Sequence, residues 1–189
     1  MSGETNKHFF RQLREAGITA EKIPTISFCI GEPEIKEWGA ALMAGDYASW
    51  SYFQSVESSE NAKFIAAFRQ RFGQDRVLSD PMETAYFSVY VWSQVVNLVG
   101  TADPEHVLAF IQNQSRVVPE GIISVDAFNH NAWRVARVGQ VGDAGQFDIR
   151  WSSEKAVYPV PYLFKSRDEW NSILHELYTG WGGSWAKKA

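Results

Sequence analysis

Residues able to do chemistry are sparse and scattered in this sequence. Histidine stands at His8, His106, His130 and His175, with no HExxH pattern and no second histidine at metal-ligand spacing. The nearest approach to a motif is Asn129-His130-Asn131, and those residues, with Asp126, suit a turn. Cys29 is the only cysteine, so a zinc site lacks its usual donors. Its place at the end of an apolar run reads as a small buried hydrophobe. Glu32 and Glu34 are a close carboxylate pair, but at i,i+2 on a helix they point to different faces. Shared acid–base work is not expected of them, and both complement a helix N-terminus instead. No GxSxG, Walker A or GxGxxG pattern is present, and the glycines at 180–183 precede no helix or strand. The pattern favours binding over catalysis: no enzyme, no metal and no cofactor are expected.

The elements that must position such a binding surface come from a well-stocked core. Of 189 residues, 45% are apolar and 14% aromatic, with eight tryptophans, which argues against disorder and for one domain. A net charge of −4 argues against a general nucleic-acid binder. One cysteine forms no intrachain disulfide and leaves the compartment open. The opening MSGETNKHFFRQLREAG is polar and has no apolar stretch of the signal-peptide kind. The longest uncharged run, 84–102, is interrupted by Ser88, Ser93, Gln94 and Asn97. It reads as a buried helix, since a membrane span needs about 20 predominantly apolar residues.

Periodicity predicts a helix from Thr5 or Asn6 to Ala16, with Phe9, Phe10 and Leu13 inward and Gly17 as its stop. PTISFCI at 24–30 reads as a buried strand, and GEPEIKEW as a turn into a helix. A second strand is expected at 46–53. A helix follows at 58–73, with Phe64, Phe68 and Phe72 spaced by four. Asp80-Pro81 opens a helix to about Val99, nearly enclosed, with Met82, Ala85, Val89, Trp92, Val96 and Val99 inward. Asp103-Pro104 opens another, with Val107, Leu108 and Ile111 inward. Beyond Pro119 the alternation in IISVDAF, WRVARVGQVG and GQFDIRW signals antiparallel strands, the last two joined by a turn at 143–145. YPVPYLF runs extended, RDEWNSILHELY forms a helix behind Ser166, and WGGSWAKKA is a tail.

Several consecutive stretches resemble one family: IPTISFCIGEPEI, GDYASWSYFQSVESSENAKFIAAFRQRFG, DPMETAYFSVYVW, VPEGIISVDAFNHNAWRVARVGQV, GQFDIRWSSEKAVYPVPY and the EW…LYTGWGGSW ending. In this order they are similar to the solute-binding proteins of urea and short-chain-amide ABC transporters. Those belong with the branched-chain amino-acid type of periplasmic binding protein, as does the amide-sensing regulator of amidase operons. The resemblance implies an α/β fold, the C-terminal part of a two-lobe type I clamshell, with helices plus a C-terminal antiparallel hairpin. It implies residues 1–53 as part of the second lobe and 54–130 as helices and a crossing of the first. Residues 131–189 would then be the hairpin returning to the second lobe, with the tail.

What the resemblance implies for function is a periplasmic partner of ABC permease subunits that closes its lobes over a small polar solute, urea or an amide. The alternative is a cytoplasmic amide sensor acting through a partner protein. No nucleic acid and no membrane insertion are implied. Carried over residue by residue, one family loop places Gly3, Glu4 and Thr5 at the edge of the cleft. The loop after PTISFCI places Cys29, Ile30, Gly31 and Glu32 there, beyond the carboxyl end of a strand. Cys29 and Ile30 stand where amide-sensing relatives carry small hydroxyl residues, which leaves backbone groups and Glu32 as the polar candidates.

Overall fold

A computed structural model describes residues 3–162 and 164–185. Of these, the residues up to 158 form one compact unit and those from 159 onward a second.

In the first unit, α1 (Glu4–Glu15) ends where Gly17 takes a positive φ of 72°. Phe10 is its buried aromatic, while Phe9 is 37% exposed, so the inner face is narrower than the spacing predicts. β1 is only Ile26–Ser27, a correction to the buried seven-residue strand expected at 24–30. It pairs with β2 (Tyr47–Trp50) alone, in parallel, and lies at the edge of a four-stranded sheet. An edge strand has one neighbour, so Ile26 and Phe28 remain exposed, and Cys29, expected inside, is exposed too. α2 (Glu32–Trp38) starts as read, with Pro33 in its first turn and the Glu34 carboxylate accepting from Gly31 N at 2.9 Å.

After β2 the chain leaves this sheet and builds α3 (Ser59–Phe72), α4 (Asp80–Val99) and α5 (Pro104–Ile111). Ser58 Oγ caps α3 by accepting from Asn61 N, and Asp103 caps α5. A three-stranded antiparallel sheet follows: β3 (Ser115–Val118), β4 (Gly121–Val125) and β5 (Ala132–Trp133). The chain then returns to the first sheet through β6 (Arg137–Val141), antiparallel to β2, and β7 (Phe147–Ser152). The β6–β7 turn is the one expected at 143–145, with Gly145 at φ 76°. The sheet order is β1-β2-β6-β7.

Phe10, Ile35, Ala48, Phe53, Val141 and Phe147 form the core of the first sheet. Gly139 is required there: a Cβ would sit 2.9 Å from Phe53 Cζ and 3.0 Å from Phe147 Cβ. Phe87, Val91, Val118, Ile123 and Val125 form a second cluster, between α4 and the three-stranded sheet. α4 buries Glu83, Phe87, Val91 and Val95, spaced by four, and leaves Val89, Trp92 and Leu98 exposed. That corrects the inward stripe expected through Val89 and Trp92, and the near-complete enclosure of this helix. The helix has one covered side in this chain, and the stripe headed by a charged residue is the covered one. On α5, Val107 is buried and Leu108 is 52% exposed, against expectation.

In the second unit, α6 (Arg167–Gly180) starts behind Ser166, with Ser166 Oγ and Glu169 forming the reciprocal cap. Trp185 packs its ring 5.0 Å from that of Tyr178. Leu163 of the extended stretch and the last four residues of the tail lie outside the described residues. Among the described residues no helix is long and apolar enough to cross a membrane.

Candidate functional site

The head of α1 and the loop after β1 meet. Asn6, 4% exposed, reaches from the first turn of α1 so that its Nδ2 lies 3.5 Å from Cys29 Sγ. Ser27 Oγ accepts from Cys29 N at 3.2 Å, which turns the chain away from the strand. Between them an open groove of about 450 Å³ is lined by Asn6, Phe9, Thr25, Ser27, Phe28 and Cys29, with Phe10 and Ile26. It runs alongside β1, the edge strand, and reaches the carboxyl end of that strand at Phe28 and Cys29. In the first turn of α1, Asn6 N donates to Gly3 O at 3.0 Å.

Of the residues singled out from sequence, Gly3, Glu4 and Thr5 are exposed at the head of α1, and Cys29 is exposed on the groove wall. Ile30, Gly31 and Glu32 are buried behind it. The Glu32 carboxylate is 1% exposed and its Oε1 accepts from Gln54 N at 2.7 Å. Burial pushes this carboxyl up to about 7, against the opposing pull of the Gln54 hydrogen bond. Gln54 carries the connection onward: its Oε1 accepts from Leu78 N at 2.8 Å and its Nε2 donates to Gln146 at 3.2 Å.

Sequence reasoning missed Asn6, Ser27 and Phe28 on the groove, and it missed a whole charged cluster. The chain crosses between the two sheets at residues 51–58 and again at 134–136. Asp80, at the head of α4, takes hydrogen bonds from Ser51 N at 3.0 Å and Tyr52 N at 2.8 Å on the first crossing. The same carboxylate pairs with Arg134 of the second crossing at 2.9 Å. The Arg134 Nε also donates to both oxygens of Glu120, at 3.0 and 2.9 Å, and its Nη2 lies 3.2 Å from Glu83 Oε2. Arg137 donates to Ser51 O and, at 2.8 Å, to Glu120 O. A signal for this cluster was available: Glu83 heads the four-residue repeat Glu83, Phe87, Val91, Val95. A carboxylate in line with an apolar stripe must be buried and partnered.

Comparison with known proteins agrees with this architecture. Residues 1–168 match the family model described as periplasmic binding protein domain. Among solved structures, the chain is similar to the substrate-binding protein of an amino acid ABC transporter from Pseudomonas fluorescens. The TM-score is 0.72 at 17% identity, over 84% of this chain and 43% of that one. A solute-binding protein from Rhodopseudomonas palustris in complex with 3,4-dihydroxybenzoic acid gives 0.73 at 18% identity, over 84% and 44%. A leucine-binding protein from Thermotoga maritima gives 0.65 at 18%, over 80% and 43%. At these identities the likeness is one of fold. Among curated proteins, one named limonene hydroxylase, from Geobacillus stearothermophilus, is 34% identical over 125 residues, 66% of this chain and 23% of that protein. The chain thus spans less than half the length of those solved structures and about a quarter of that relative. With the family model matched over most of its length, the chain belongs to the periplasmic binding protein domain family and carries part of its type I fold.

Proposed function

We propose that this chain is the C-terminal part of an extracytoplasmic solute-binding protein of an ABC importer, and that it contributes one wall of the ligand cleft. The observation that carries this is the groove alongside β1, where Asn6 joins the head of α1 to Cys29 of the loop after the strand. Gly3, Glu4, Thr5, Cys29, Ile30, Gly31 and Glu32 supply that wall: exposed groups at its rim, and backbone with the Glu32 carboxylate behind it. The solute is a small polar one, urea or a short-chain amide, held when a second lobe closes over it. The role is binding, not catalysis. The family match spans 168 residues, whereas the likeness to the protein named limonene hydroxylase reaches 23% of that protein.

A second reading has its own observation. Phe9 and Phe28 line the groove, and Phe28 is 69% exposed. Aromatic walls favour a solute with an apolar body, such as the dihydroxybenzoic acid named for the Rhodopseudomonas palustris structure. Titration calorimetry with urea, acetamide, leucine and 3,4-dihydroxybenzoate separates the readings. It is run on this chain and on the chain joined to a complementary first half. Micromolar binding of urea or acetamide only by the joined protein is the expected result. Preference for the aromatic acid favours the second reading, and micromolar binding by this chain alone overturns the one-wall argument.

A further inference from the structure

The cluster at the two crossings holds more carboxylates than cations. Asp80, Glu83 and Glu120 face Arg134, with Arg137 alongside. Fully ionised, these five groups carry one uncompensated negative charge, and the carboxylates are at most 8% exposed. A buried excess charge is costly, so the least solvated carboxylate takes up a proton.

Geometry identifies it. Asp80 takes two crossing amides and two Arg134 contacts. Glu120 takes the Arg134 Nε on both oxygens and a third contact from Nη2. Glu83 has the Arg134 Nη2 at 3.2 Å and Glu120 N at 3.4 Å, whereas Asp80 and Glu120 each accept at 3.0 Å or less. We propose that Glu83 holds a proton at neutral pH and that this proton keeps the two crossings locked together, so that its loss in alkaline solution loosens the junction. The solute reading is not needed for this, because no ligand takes part.

The surroundings of Glu83 oppose one another, and those that raise its carboxyl prevail. On α4 it has Asp80 and the neutral Thr84; from the β3–β4 turn, Glu120; from the first crossing, the phenol of Tyr52. The second crossing and the start of β6 bring Arg134 and Arg137. At the head of α2, Gly31 lies against Ser79, and Glu32 raises the same Tyr52 phenol that Glu83 raises. Burial, then the charge of Glu120, pushes the Glu83 carboxyl up to about 8, with Arg134 pulling the other way. The deprotonated state sets three anions side by side around one guanidinium. The bonds nearest that repulsion are the two that the Ser51 and Tyr52 amides donate to Asp80.

Amide hydrogen exchange on the 189-residue chain between pH 6 and 9.5, corrected for intrinsic rates, tests this. Protection of the Ser51 and Tyr52 amides is expected to fall about tenfold across the alkaline step, while the Val141 amide, bonded to Asp46 O, keeps its protection. Glu83→Gln should abolish the step, and Glu32→Gln should leave it in place. A flat wild-type profile, or the same step in Glu83→Gln, overturns the proposal. The wild-type chain also provides a readout independent of any variant: the carboxyl-carbon shift of Glu83. Titration above pH 7 supports the assignment, and titration in the ordinary glutamate range overturns it.

Discussion

The two sheets of residues 3–158 are covered to different degrees. Around β1-β2-β6-β7, Phe53 and Phe147 are within 1% of full burial and their rings lie 4.7 Å apart over Gly139. Around β3-β4-β5, only one face is filled. Val117 and Ile122, paired across β3 and β4, are 61% and 65% exposed, and Val89, Trp92 and Leu98 of α4 are open as well. The same chain thus contains a finished core and a half-covered one. The difference teaches that hydrophobic periodicity locates a helix but not which of its faces finds a partner.

The largest effects should come from the finished core. Phe53→Ala is expected to cost about 3–5 kcal/mol in denaturant unfolding, because the cavity beneath it cannot collapse. Phe87→Ala, 6% exposed in the open half, should fall at the low end of that range, since its neighbours have room to relax. Equal losses would break the comparison. Between the two halves, Arg134→Met should cost about 3–5 kcal/mol at alkaline pH by stranding Asp80, Glu83 and Glu120. The loss should shrink as pH falls, because burial raises the Glu83 and Glu120 carboxyls and favours their neutral forms.

A smaller effect concerns pH itself. Burial holds Glu83 at about 8 and Glu32 at about 7, against 4.5 for a free glutamate. The folded state therefore binds protons more tightly than the unfolded chain. Stability from this source is full below about pH 4.5 and is lost as pH rises through 7 to 8. The melting temperature should fall over that window, and Glu83→Gln should flatten most of the slope. The smallest change is in the open half. Trp92→Ser should shift stability by no more than about 0.5 kcal/mol, yet reduce apolar-dye binding and self-association measured by light scattering. An unchanged dye signal would show that α4 contributes nothing to an apolar patch.

Much of the element order was legible. Asp80-Pro81 and Asp103-Pro104 mark helix starts because aspartate caps and proline fits the first turn, and the turn at 143–145 announces the β6–β7 hairpin. Of the loops at 3–5 and 29–32 to which family likeness pointed, Cys29 alone lines the groove. Asn6 and Phe28 belong to it by tertiary contact, which no local pattern encodes. Cys29 was misread because an apolar run suits a buried strand, whereas β1 lies at a sheet edge. Arg134 was invisible for another reason: its partners at 80, 83 and 120 are far from it in sequence, and Asp80 already had a sufficient local explanation as a helix-start residue.

The pairing of β2 with β6 bears on how fast the molecule assembles. Tyr47 opposes Gln140, so the central ladder of the first sheet joins segments about 90 residues apart. Closing such a loop costs about 2 kcal/mol more entropy than closing the short β6–β7 hairpin, and long-range closure slows folding. A collapsed intervening segment shortens that loop, because Asp80 holds Ser51 and Tyr52 beside Arg134 and brings the far ends of α3 through β5 together. Assembly should therefore run from the middle outward, with β2 and β6 docking last. Weakening Asp80 should then slow refolding more than an equally destabilising change on β7.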